Sequence, residues 1–94
     1  MPYELTYWPR ADDILTELEQ DPAMAAVLQA VEHVLALLAD DPFDPRQGTT
    51  AFVTEELGSV CATPARREDW YVIWQRGPEG TQTIEIILVH QLRL

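Results

Sequence analysis

The chain has 94 residues, 47% of them hydrophobic, which is enough for one core and too little for two. A single cysteine, Cys61, excludes an internal disulfide. Sixteen acids stand against six arginines and no lysine, and the net charge of −10 repels a phosphate backbone unless local arginines override it.

The acidic excess is uneven. Residues 1–47 hold ten acids and two arginines, a balance of −8, and residues 48–94 hold six acids and four arginines, a balance of −2. A solvated acidic helix face accounts for the first half. With no unbroken apolar run of 18 residues and no secretory pattern, the expectation is a soluble, cytoplasmic, single domain over residues 1–94.

Tyr3 to Trp8 alternates, with Tyr3, Leu5 and Tyr7 on one side and Glu4, Thr6 and Trp8 on the other, and reads as a strand. Pro9 suits a first helical turn, Asp12 and Asp13 complement the dipole there, and Ile14, Leu15 and Leu18 supply a short apolar stripe. Asp21 then caps Pro22 to open a second helix. In it Val27, Leu28, Val31, Val34, Leu35 and Leu38 form one stripe at helical spacing, which leaves His33 on the surface.

The second helix ends at Asp40-Asp41-Pro42, and Phe43 to Gly48 is a loop interrupted by prolines. Thr49 to Thr54 and Ser59 to Ala62 are the next strands; Pro64, which lacks a donor, marks a sheet edge or an exit from the sheet. Cys61 in the second of them reads as a small strand hydrophobe.

Trp70 to His90 is a long hairpin around Gly77-Pro78-Glu79-Gly80. A three-residue loop with Gly80 at positive φ sets Gly77 opposite Thr81, Trp74 opposite Ile84, Val72 opposite Ile86 and Trp70 opposite Leu88. Those six large apolar residues then share a face that helix two covers. Tyr71, Ile73, Gln75, Thr83, Glu85 and Ile87 share the other, with Val89 and Gln91 at the same parity, while His90 falls on the core side. A register one residue away would bury Glu85 without a partner. The fold class is therefore α+β, two-layer, in the order β-α-α-β-β-β(-β), with an antiparallel sheet packed on a helical pair.

A phosphate-binding glycine loop, a zinc-spaced Cys/His set and a Ser-His-Asp constellation are all missing. No metal or cofactor is expected. What remains is the sheet face around Tyr71 with the arginines near it.

Asp69-Trp70, Val72-Ile73-Trp74, the Gly77-Pro78-Glu79-Gly80 turn and Val89-His90-Gln91 resemble the corresponding segments of the RelE/ParE toxin superfamily. The opening strand into a proline-led helix is similar as well. The resemblance implies the toxin half of a bacterial type II toxin–antitoxin system, bound by a cognate antitoxin protein that the net charge biases to be basic. It implies mRNA cleavage on the ribosome in the RelE branch, making the chain a candidate mRNA interferase, or gyrase poisoning in the ParE branch.

Such cleavage needs a cation for the phosphorane and a group to move protons. By the resemblance Arg66, Tyr71 and His90 are the candidate catalytic residues, and Arg67, Gln91 and Arg93 the candidate nucleic-acid contacts. Tyr71 also reads as a stacking or packing aromatic, and His90 as a satisfied strand-end histidine. Tyr71 and Gln91 stand where the family carries arginine, so the expected activity is weak. The reading from another class is a non-enzymatic acidic binding module or nucleic-acid mimic.

Overall fold

The computed structural model describes residues 2–65 and 69–91. Its elements run β1 (Glu4–Tyr7), α1 (Pro9–Gln20), a 3-10 turn (Pro22–Met24), α2 (Ala25–Asp40), a second 3-10 turn (Pro45–Gln47), β2 (Thr50–Thr54), β3 (Gly58–Pro64), β4 (Trp70–Arg76) and β5 (Thr83–Gln91). Two helices lie on one five-stranded sheet ordered β1-β5-β4-β3-β2.

The sheet is mixed rather than wholly antiparallel. β2 to β5 pair antiparallel as neighbours, but β1 pairs with β5 in parallel, Leu5 opposite Ile84 and Tyr7 opposite Ile86. The helical pair carries the chain from β1 to β2 at the opposite edge of the sheet, and the three antiparallel pairings that follow bring β5 back beside β1, running the same way.

α1 starts at Pro9 and runs 12 residues, and Asp21 caps the 3-10 turn after it by accepting from the Ala23 amide at 3.0 Å. Val27, Val31, Val34, Leu35 and Leu38 of α2 are buried, with Leu28 half-buried beside them. Together with the preceding turn, Pro22–Asp40 has the length and mean hydropathy (1.6) of a membrane-crossing helix; here its apolar stripe packs into the core. That core joins the stripe to Val72, Trp74, Ile84, Ile86 and Val89, with Trp70, Leu5, Tyr3 and Cys61 against it. Helix two therefore covers the tryptophan face, as expected.

The hairpin register departs from the expected one in two places. Near the turn Gly77 donates to the Thr83 carbonyl at 2.8 Å, so Gly77 faces Thr83 and not Thr81, and Trp74 stands opposite Ile86 instead of Ile84. The loop is five residues long because Thr81 closes a turn on Pro78, its amide at 3.1 Å and its hydroxyl at 2.6 Å from the same carbonyl oxygen. Gly80, the third residue of that turn, has φ 86°, the positive value expected. Because the slip is two residues, the faces do not exchange.

Further along, the pairing moves from Trp74↔Ile86 to Ile73↔Leu88, so Ile87 is an extra residue in β5. Beyond this bulge the parity inverts. Val89, not Leu88, joins Val72 on the core face; Leu88 lies opposite Ile73, His90 opposite Tyr71 and Gln91 opposite Trp70. Val89 is fully buried and Leu88 only half so.

β3 reaches Pro64, two residues beyond the last β2 pair, Thr50↔Ala62. The Ala65 amide donates to the Trp70 carbonyl at 2.8 Å, so the Pro64 nitrogen points the other way, toward the side β2 has left.

Candidate functional site

The face away from the helices carries the candidate site. Cross-strand partners share a face, so Pro64, Tyr71 and His90 lie in one row across β3, β4 and β5, and Ala62, Ile73 and Leu88 in the next. The bulge at Ile87 makes this row. Without it His90 would point into the core layer; with it, two of the three candidate catalytic side chains, Tyr71 and His90, stand side by side, at the roughly 4.5–5.5 Å Cβ spacing of directly opposed residues. Tyr71 is half-buried and His90 exposed. Gln91 falls beside Trp70, one row over and at the opposite parity to Tyr71. Arg66, Arg67 and Arg93 lie outside the described residues.

At the other end of the same face Glu85 accepts from Gln75 Nε2 at 2.7 Å and from Trp8 Nε1 at 3.3 Å on one oxygen, Oε1. The carboxylate thus finds two neutral donors and no cation among the described residues. The alternation of Trp8 with Glu4 and Thr6 is a signal for its part here, since the Thr6↔Glu85 pairing puts that side of β1 beside Glu85. Between the two ends, Val60 and Ala62 are buried, 1% and 8% exposed. The face is therefore apolar in its middle and polar at both ends.

Among the described residues this face bears no arginine. Arg76 lies on the core-side parity with Ile84, its guanidinium carbon 4.4 Å from the Phe43 ring centroid. Arg46 pairs with Asp44 at 2.7 Å. That guanidinium and the Arg46 amide hold the Asp44 carboxyl down to about 2. On the core side burial pushes the Cys61 thiol up, which makes it a poor nucleophile. Burial also raises the Tyr7 phenol, with the nearby Asp12 charge adding to the effect.

The sheet-and-helix arrangement is shared with solved toxin structures. A YoeB/ParE toxin from Agrobacterium tumefaciens superposes with a TM-score of 0.75, at 11% identity over 96% of this chain and 99% of that one. A chain from the RelBE2 toxin–antitoxin complex of Mycobacterium tuberculosis gives 0.61, at 21% identity over 98% and 100%. No family profile and no curated protein matches the sequence. The class defined here is thus a RelE/ParE-like α+β fold, held over nearly the full length of the chain with little of the sequence in common.

Proposed function

We propose that the protein is a RelE/ParE-like toxin component of a bacterial type II toxin–antitoxin system, cytoplasmic, held by a basic cognate antitoxin, and weak or inactive as an mRNA interferase. The observation that carries this reading is the fold, shared end to end with two toxin-system structures. The Tyr71–His90 row supports a site on the open face: in cleavage through the 2′-hydroxyl, one group takes that proton as the oxygen attacks phosphorus, and another returns a proton to the leaving 5′-oxygen. Tyr71 and His90 are the pair that could share these tasks. Positive charge for the phosphorane is what the described face lacks, and the net charge of −10 adds repulsion toward RNA.

The same deficit favours a second reading, a non-enzymatic acidic module of the same fold that binds protein. Both readings call for a basic partner. Co-expression with the product of the adjacent gene should yield a stable complex whose association rate falls as salt is raised. Recovery of the chain alone, with no binding to that product at low salt, would remove the antitoxin partner from the account.

A further inference from the structure

The two edges of the sheet are built differently. β1 is four residues long, carries Glu4 and lies between Pro2 and Pro9, all features that discourage a further strand from pairing with it. β2 has none of them. From Gln47 to Thr54 no residue is charged, no proline interrupts Thr50–Thr54, and the register with β3 is regular throughout. As the last strand, β2 turns the amides and carbonyls of alternate residues outward with no strand beyond to bond them. It also shows apolar side chains on both faces. Phe52, opposite Val60, lies on the open face and is 39% exposed. Val53 shares the helix side with Ala51, Cys61 and Trp74, but α1 packs on β5 and α2 on β4, and Val53 is left 78% exposed.

We infer that β2 pairs antiparallel with β2 of a second copy of this chain, about a two-fold axis at Phe52, and so joins two five-stranded sheets into one. The strand has the same chemistry read from either end: Thr50 and Thr54 flank Ala51 and Val53, with Phe52 at the centre. In that register Phe52 meets its own copy on the open face, Val53 meets the second copy's Ala51 on the helix side, and Thr50 meets the second copy's Thr54, so each exposed apolar side chain gains an apolar neighbour. Charge selects the direction. A parallel pairing would set Glu55 and Glu56 of the β2–β3 turn against their own copies, whereas the antiparallel one sends the two turns to opposite ends and puts Glu55 beside the second copy's Thr49. The acidic excess is −8 in residues 1–47 and −2 in residues 48–94, so the copies meet through their less charged halves. Five residues span about 17 Å. A contact of that length is at the low end of interface sizes, under about 1,200 Å² in total, which makes the dimer weak and reversible. The pairing leaves the Tyr71–His90 row and both helices uncovered, and it does not depend on the toxin reading.

Sedimentation equilibrium of the whole chain, from micromolar to near-millimolar concentration, tests the pairing. The average mass should rise toward that of a dimer, and rise further as salt is raised, because salt screens the repulsion between two acidic chains; binding of a basic partner responds in the opposite sense. Val53→Lys, at a position exposed enough to accept it, should weaken the dimer at least tenfold with an unchanged melting temperature. In a Cys61→Ser background, Phe52→Cys should form a disulfide-linked dimer under mild oxidation. Thr50→Cys should not, since the two copies of that position stand four residues apart across the axis, about 13 Å. A chain that stays monomeric at every concentration and salt would overturn the pairing. So would a dimer that survives Val53→Lys, or one that Thr50→Cys links as readily as Phe52→Cys, because the contact would then lie elsewhere. A monomer whose β2 amides gain protection from hydrogen exchange only when the product of the adjacent gene is added would assign the edge to a foreign strand, and self-pairing would be wrong.

Discussion

Thr63→Val isolates a buried polar cluster against the core. Thr63 is 1% exposed, accepts from Trp74 Nε1 at 2.9 Å and shares a hydrogen bond of 2.6 Å with the Thr49 hydroxyl. Valine keeps the shape and removes the oxygen, so the indole N–H of Trp74, itself only 1% exposed, is left with no acceptor. Thr49 is half-buried and can turn to water, so most of the cost falls on the indole. An orphaned buried donor costs about 1–3 kcal/mol, and for a domain of this size each kcal/mol moves the melting temperature by roughly 4–8 °C. Chemical denaturation of Thr63→Val, Trp74→Phe and the double variant completes a cycle. Trp74→Phe has its own packing cost, but it also deletes the donor that Thr63→Val would strand. The double variant should therefore lose less than the two single losses combined, by about 0.5–3 kcal/mol. Strict additivity, or a neutral Thr63→Val, would show that the Trp74–Thr63 bond does not contribute as described.

Leu38→Ala, at a fully buried stripe position, should cost about 2–5 kcal/mol in denaturant unfolding, and Leu28→Ala, half-buried on the same helix, distinctly less. Gly80→Ala should cost about 1–2 kcal/mol from its φ of 86° alone, since a Cβ there meets nothing within 4 Å. Gly77→Ala fails for a different reason, because its Cβ would come within 2.8 Å of the Thr83 Cβ, and circular dichroism should show a larger loss of stability. The Asp44 carboxyl should titrate near 2 by NMR. Because that value lies below the unfolded one, whatever the Asp44–Arg46 pair contributes is intact above about pH 4 and disappears as pH falls toward 2. A titration near 4 would mean that the pair does not persist in solution.

The fold was legible wherever the pattern had a period. The α2 stripe and the alternation of Trp70, Val72 and Trp74 each name one face, and the structure sets those faces together. The register of β5 was not legible, because Ile86, Ile87, Leu88 and Val89 are all apolar and such a run carries no alternation to read. A bulge anywhere along it leaves the composition unchanged, yet it decides whether His90 stands beside Tyr71. The loop length was hidden in a similar way. Thr81, whose hydroxyl completes the turn on Pro78, looks in sequence like the first residue of a strand. The parallel pairing of β1 has no signature in a strand of four residues, since direction is set by how the later strands return across the sheet and not by side-chain pattern. At the site, the resemblance names Tyr71 and His90. Trp8 shows only as one side of an alternating strand, because a neutral side chain declares its role through hydrogen-bond partners that sequence does not reveal.

The most direct test of weak activity on a toxin fold is to add the purified chain to a translating bacterial extract and follow mRNA by primer extension, with growth measured in parallel on induced expression without the partner. The account predicts intact mRNA and little growth inhibition, because losing even one preorganised donor at a developing oxyanion typically costs about 2.7–4 kcal/mol of barrier, and by the resemblance Tyr71 stands where the family carries an arginine. Rapid ribosome-dependent cleavage with strong toxicity, abolished by Tyr71→Phe or Arg66→Ala, would contradict it.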